Sequence, residues 1–146
     1  IAPYGAFPTV DGELMLAPAN DGLFVRLCRA LELPALPDDE RFRTNPARVA
    51  NRAALNEVIA GATRAFSTAG LMERLRAAGV PCAPIQDIAQ VVADPQTAAS
   101  GMIVRDGEDV AVPLPIRWQG ERSRPAPPAP AAGEHTGELL SELEAR

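Results

Sequence analysis

Few side chains in this sequence could do chemistry, and each has a structural competitor. His135 is the sole histidine, so neither a histidine acid/base pair nor a histidine-rich metal site can form. It stands just ahead of an apolar-periodic stretch and reads best as a polar residue at a helix start. Cys82 could be a nucleophile, but no base is signalled near it, and a small buried cysteine is the commoner use. Cys28 falls on the apolar face of a helix and reads as core. The two cysteines match no metal or redox spacing. Asp38-Asp39-Glu40 could hold a hard cation, yet an acidic first helical turn complementing the helix dipole explains it better. Asp106, Glu108 and Asp109 read as a solvated turn. Neither a phosphate-cradling glycine loop nor a nucleophile elbow occurs. Pro3-Tyr4-Gly5 remains, where glycine would let backbone approach a ligand closely; its competitor is an ordinary strand entry. Residue type and spacing assign no catalytic group and no metal site.

Composition narrows the class. A chain of 146 residues suits one domain, or one domain with an appendage. The net charge of −5 argues against nucleic acid or an anionic membrane as the main partner, because both select clustered Lys and Arg. No apolar run approaches the ~18 residues of a spanning helix, and no signal-peptide pattern opens the chain. A reducing cytoplasm is the expected compartment. The chain starts at Ile1-Ala2-Pro3-Tyr4 without an initiator methionine and reads as a piece of a longer polypeptide.

The elements follow from local signals. Tyr4 to Ala17 reads as a β-hairpin turning at Asp11-Gly12. Asn20 or Asp21 caps a helix that buries Leu23, Phe24, Leu27, Cys28 and Leu31. A short turn from Pro37 buries Phe42. Thr44-Asn45-Pro46 starts a helix running to about Phe66, with Val49, Leu55, Val58, Ile59, Ala62 and Phe66 inside and Arg48, Asn51, Arg52, Asn56 and Glu57 outside. Ser67 or Thr68 caps the next helix, which ends at Gly79. The stretch Gly79-Val80-Pro81-Cys82-Ala83-Pro84-Ile85 reads as the joint into the main inner strand, although its prolines call for an edge or an irregularity. Asp87 and Asp94-Pro95 open two short helices, the second closed by Gly101. Met102–Val104 and Val110–Val112 read as paired strands across Asp106-Gly107, and Leu114–Trp118 as extended. Arg122–Ala132 is Pro/Ala-rich and reads as an extended linker. Thr136–Leu143 is a short amphipathic helix with Leu139, Leu140 and Leu143 on one side, and it needs something to dock against. The fold class is α+β: helices with a short, mostly antiparallel sheet, a Pro-rich arm and a terminal helix.

Several segments, in order, resemble family III CoA-transferases, the group of formyl-CoA transferase, carnitine CoA-transferase and α-methylacyl-CoA racemase. They are Pro3-Tyr4-Gly5-Ala6-Phe7, Arg41-Phe42-Arg43-Thr44-Asn45, Ala47-Arg48-Val49-Ala50-Asn51-Arg52 and Gly79 to Ile85. Ala93-Asp94-Pro95-Gln96, Ser100-Gly101-Met102, Pro115-Ile116-Arg117 and Gly133-Glu134-His135-Thr136 continue the series.

The resemblance implies the C-terminal portion of a longer chain. Residues 1–112 would be the small α+β domain, 113–132 an extended linker, and 133–146 a return segment docking on a missing N-terminal large domain. It also implies an interlocked homodimer, acyl-CoA and a carboxylic acid as substrates, coenzyme A as thioester, and no covalently bound cofactor. The family's transferases use an aspartate nucleophile, which would lie upstream of Ile1. Its racemases use a His and an Asp instead, and His135, in the return-segment motif, is not that histidine. The resemblance points to Tyr4 and Gly5 as one wall of the acyl pocket, although the glycine-rich loop of formyl-CoA transferase is not reproduced here. A fragment of a CoA-transferase, a fragment of a racemase and a non-catalytic interaction module are the three readings to separate.

Overall fold

The computed structural model describes residues 1–106, 109–122 and 130–145. The chain divides into two units, Ile1–Gln86 and Asp87–Arg146.

The first unit is built on a three-stranded antiparallel sheet. Strands β1 (Gly5–Pro8) and β2 (Glu13–Leu16) form the expected hairpin, and β3 (Cys82–Pro84) adds to the other side of β2. The inner strand is therefore β2, and the proline-flanked β3 takes an edge, as its missing N–H donors require. Gly5 pairs with Leu16 and Pro8 with Glu13, so the connection is the four-residue loop Thr9–Gly12 and not a two-residue turn. The loop closes through Thr9 N–H donating to the Gly12 carbonyl (2.9 Å). It is tied outward by the Asp11 carboxylate, which accepts from the Thr68 N–H (2.7 Å) and hydroxyl (2.8 Å). Alternation along the hairpin sends Phe7, Leu14 and Leu16 to one buried face.

Four helices cover that face. Helix α1 (Asp21–Ala30) is capped by Asn20, which accepts from Leu23 N–H (2.8 Å), and buries Phe24, Leu27 and Cys28. A 3-10 turn at Leu36–Asp38 leads to the fully buried Phe42. The long helix expected from Thr44 is broken into α2 (Asn45–Ala50) and α3 (Arg52–Thr63) at Asn51, whose φ of −107° and ψ of 27° leave the helical basin. The Asn51 side chain explains the break: its Nδ2 donates to the Ala47 (3.0 Å) and Arg41 (3.3 Å) carbonyls, competing with the helix ladder. The break changes which residues face inward. Leu55, Ile59 and Thr63 are buried, Val49 and Val58 are exposed, and Arg48, expected outside, is completely buried.

Ser67 caps α4 (Thr68–Ala77), which buries Leu71 and Leu75. The helix ends in paired reverse bonds, Gly79 N–H to the Arg76 carbonyl and Val80 N–H to the Leu75 carbonyl (both 2.9 Å). Gly79 has φ +64°, and Val80 is buried in the same core as Leu75.

The second unit has α5 (Ile88–Ala93), α6 (Pro95–Ser100), two two-stranded ribbons and α7 (Thr136–Glu144). Asp87 and Gln90 form a reciprocal capping box, Asp94 caps α6, and Gly101 (φ +65°) closes it. Strands β4 (Val104–Asp106) and β5 (Asp109–Ala111) pair as expected, with bounds shifted from the sequence reading. The turn expected at Gly107 lies outside the described residues, as do 123–129 of the expected Pro-rich linker. Strands β6 (Arg117–Trp118) and β7 (Glu121–Arg122) form a hairpin where only extended chain was expected. Gln119 (φ +52°) and Gly120 (φ +88°) make its tight turn. Among the described residues the buried core cluster lies in the first unit, whereas Ile88, Trp118 and Leu143 here are 81%, 79% and 67% exposed.

Two outcomes follow. Gly79→Ala should cost about 1–2 kcal/mol, because a left-handed residue with a Cβ carries that penalty; urea denaturation of the chain measures it. Bonding from the Thr68 backbone N–H, then its hydroxyl, holds the Asp11 carboxyl below its ordinary value. Its contribution to stability is therefore full above the unfolded aspartate value of about 3.9 and vanishes as pH falls through the depressed folded value. Acid titration of stability should lose that component in Asp11→Asn.

Candidate functional site

The segment leading into β1 has no strand partner for its first residues; side chains of α2 and α3 hold it instead. Ala2 N–H donates to Asn45 Oδ1 (3.1 Å), Arg48 Nε donates to the Ala2 carbonyl (2.6 Å), and Arg52 Nη2 donates to the Ile1 carbonyl (3.2 Å). Ala2 and Pro3 are buried as a result, and the Ala2–Pro3 peptide is cis.

Tyr4 emerges between this clamp and the first ladder pair, Gly5 with Leu16. It is 52% exposed. Gly5 has φ +156°, and a Cβ built there would meet nothing within 4 Å. The conformation demands glycine, and the space beside it is open. The loop thus offers an aromatic ring and an unshielded stretch of backbone on a fixed base.

That base is Arg48. Its guanidinium makes three further contacts on two segments: Nη1 donates to the Phe42 carbonyl (3.1 Å), while in α1 Nη2 donates to Asp21 Oδ1 (2.6 Å) and the group lies 4.3 Å from the centre of the Phe24 ring. A buried guanidinium is tolerated only when its fork of donors is satisfied, and the aromatic face adds attraction. Asp21 is 63% exposed at its side chain, so the ion pair sits at the wet end of the cluster. The expectation that Arg48 lines an outer face is therefore wrong. No local signal marks it, because the helix break at Asn51 separates Arg48 from the face that Leu55 and Ile59 define.

The other candidates are dispersed. Cys28 is buried in the core, and burial pushes its thiol up to about 12, against an opposing influence of Arg48. Cys82 is half-buried on β3 with its Sγ 3.9 Å from the Met72 carbonyl; desolvation raises its thiol, only partly offset by Arg76. Asp39 pairs with Arg41 (2.7 Å), which holds its carboxyl low, and Asp38 lies in the first turn of the 3-10 helix. The shallow depression beside it, from Glu32 to Leu36, has no free charge at its mouth, since Glu32 pairs with Arg74 (2.6 Å). His135 occupies the residue before α7 and makes no capping bond with its side chain. The side chains of Asp106, Glu108 and Asp109 lie outside the described residues. Among the described residues no group of three His, Cys, Asp or Glu could hold a metal ion, and no helix is long and apolar enough to cross a membrane.

The sequence profile of CoA-transferase family III matches residues 1–136. The chain belongs to this family. It is 40% identical over 99% of its length to the succinate–glutarate CoA-transferase of Agrobacterium fabrum, and 31% identical over 98% to the human succinyl-CoA:glutarate CoA-transferase. These alignments cover 37% and 34% of the two relatives, so the family III chain spans little more than a third of their length. A CaiB/BaiF family protein of Brucella suis has the same fold, with TM-score 0.88 and 38% identity over 98% of this chain and 38% of that one. The α+β fold is that of a family III small domain.

The geometry makes two tests. Arg48→Met should cost about 2–4 kcal/mol in denaturation, because the Ala2 and Phe42 carbonyls lose their donors at roughly 1–3 kcal/mol each; Asp21→Asn should cost about 1 kcal/mol or less, since its carboxylate is already wet. In thiol labelling at pH 8, Cys82 should react more slowly than a free thiol, and Cys28 only at the rate of unfolding. Two equally fast thiols would refute the burial described.

Proposed function

We propose that this chain is the substrate-capping small domain of a longer acyl-CoA:carboxylate CoA-transferase and is not competent alone. The match across 99% of the chain to a succinate–glutarate CoA-transferase carries the reading. The Agrobacterium and human relatives named above are CoA-transferases, which favours the transferase reading over the racemase one. Their names point to short dicarboxylic acids as donor and acceptor.

In this reading an aspartate carboxylate supplied by the preceding portion attacks the thioester carbonyl. The CoA thiolate leaves, and a mixed anhydride forms. Anhydrides are lost to water, so a wall that excludes solvent protects the transfer. Tyr4 provides the apolar ring of that wall, and Gly5 lets the acyl group pack against bare backbone. Residues 1–112 form the small domain, 113–132 a linker and 133–146 a return segment. The half-exposed Leu139 and Leu140 with Leu143 on α7 supply an apolar face for docking on a large domain. An interlocked homodimer and a cytoplasmic location complete the proposal; the two free cysteines suit a reducing compartment.

The test assays the longer chain with succinyl-CoA and glutarate. Tyr4→Ala should raise KM about tenfold and increase hydrolysis relative to transfer, and the 146-residue chain alone should transfer nothing. Proton exchange at the α carbon of a 2-methylacyl-CoA without transfer would replace this reading with the racemase one.

A further inference from the structure

We infer that Arg48 is a positioning residue: its buried guanidinium fixes the Ala2 carbonyl and thereby sets where Tyr4 and Gly5 stand. That this placement serves a pocket rests on the reading above; the placement itself does not.

Both polar groups of Ala2 are held by side chains of α2, its N–H by Asn45 and its carbonyl by Arg48. The next fixed point along the chain is Gly5, where the ladder to Leu16 begins. Tyr4 lies between the two, and its hydroxyl makes no hydrogen bond within the described residues. No hydrogen bond of its own holds the Tyr4 side chain; the bracket fixes the backbone on both sides of it. Arg48 is also the member of the clamp that reaches beyond it, tying Ala2 to the Phe42 carbonyl and to Asp21 at the start of α1. A lysine at 48 keeps the charge but has one donor point on a flexible stem. It cannot serve Ala2, Phe42 and Asp21 together.

Arg48→Lys and Asn45→Ala carry the test, the latter removing the Ala2 acceptor while leaving the buried charge in place. Leu71→Ala, which weakens the core from α4, is the control for stability alone. Hydrogen exchange of a peptide covering residues 1–7, measured on the chain itself, should quicken about tenfold in both clamp variants, beyond any change in Leu71→Ala. Unchanged exchange overturns the inference. In the longer chain, Arg48→Lys should raise KM for acyl-CoA about tenfold with kcat within about twofold, and should add nothing further in a Tyr4→Ala background. If Tyr4→Ala alone leaves KM unchanged, the pocket-wall reading falls while the exchange result still judges the clamp. If Tyr4→Ala raises KM and Arg48→Lys does not, or their effects multiply, Arg48 does not act through Tyr4 and the inference fails.

Discussion

A guanidinium with no water around it is the constraint on which the first unit depends. The cost of desolvating Arg48 is offset by acceptors for each of its three nitrogens, and those acceptors come from the chain's start, the turn at Phe42 and the first residue of α1. An apolar side chain of the same volume would fill the space but would leave the three segments free to slide. Arginine adds a fixed mutual arrangement to the packing. Oriented bonds can specify an entry angle for the chain in a way that apolar contact does not.

Much of the fold was legible because its signals are local. Asn20, Ser67, Asp87, Asp94 and the glycines at 79 and 101 each act within four or five residues, and each does what its sequence context indicates. The misreadings share a cause: a distant partner wins over a local rule. Asp11-Gly12 has the signature of a tight turn, but Thr68, remote in sequence, holds the Asp11 carboxylate, and the loop opens to four residues. A single helix from Thr44 to Phe66 fits the propensities, but the Asn51 side chain reaches the Arg41 carbonyl and breaks it. Arg48 reads as solvent-facing in sequence because two of its three acceptors are main-chain carbonyls, which a sequence does not display, and the third, Asp21, is remote. Tyr4 and Gly5 came from family resemblance; the clamp that holds their loop came from geometry.

The two units differ in how completely they bury what they carry. In the first, one sheet face and three long helices close over Phe7, Leu14, Phe24 and Leu55. The second has well-made caps and ribbons but leaves Ile88, Leu114, Ile116 and Trp118 largely open. Capping and turn bonds are short-range and survive on their own, while apolar burial needs a surface. Such elements can be fully determined in sequence and still be energetically unfinished.

The prolines of β3 have an effect at the rim of the sheet. Ala17 donates to the Pro81 carbonyl and Ile85 donates to the Glu13 carbonyl, so residues 81 and 85 face β2. Alternation then turns 82 and 84 outward. Proline at 84 has no N–H to offer, which leaves the Cys82 amide as the lone donor along that border of the strand. A stray strand arriving from another molecule would find one donor where a full ladder offers several. The joint that delivers the chain into the sheet also blunts this edge against self-association.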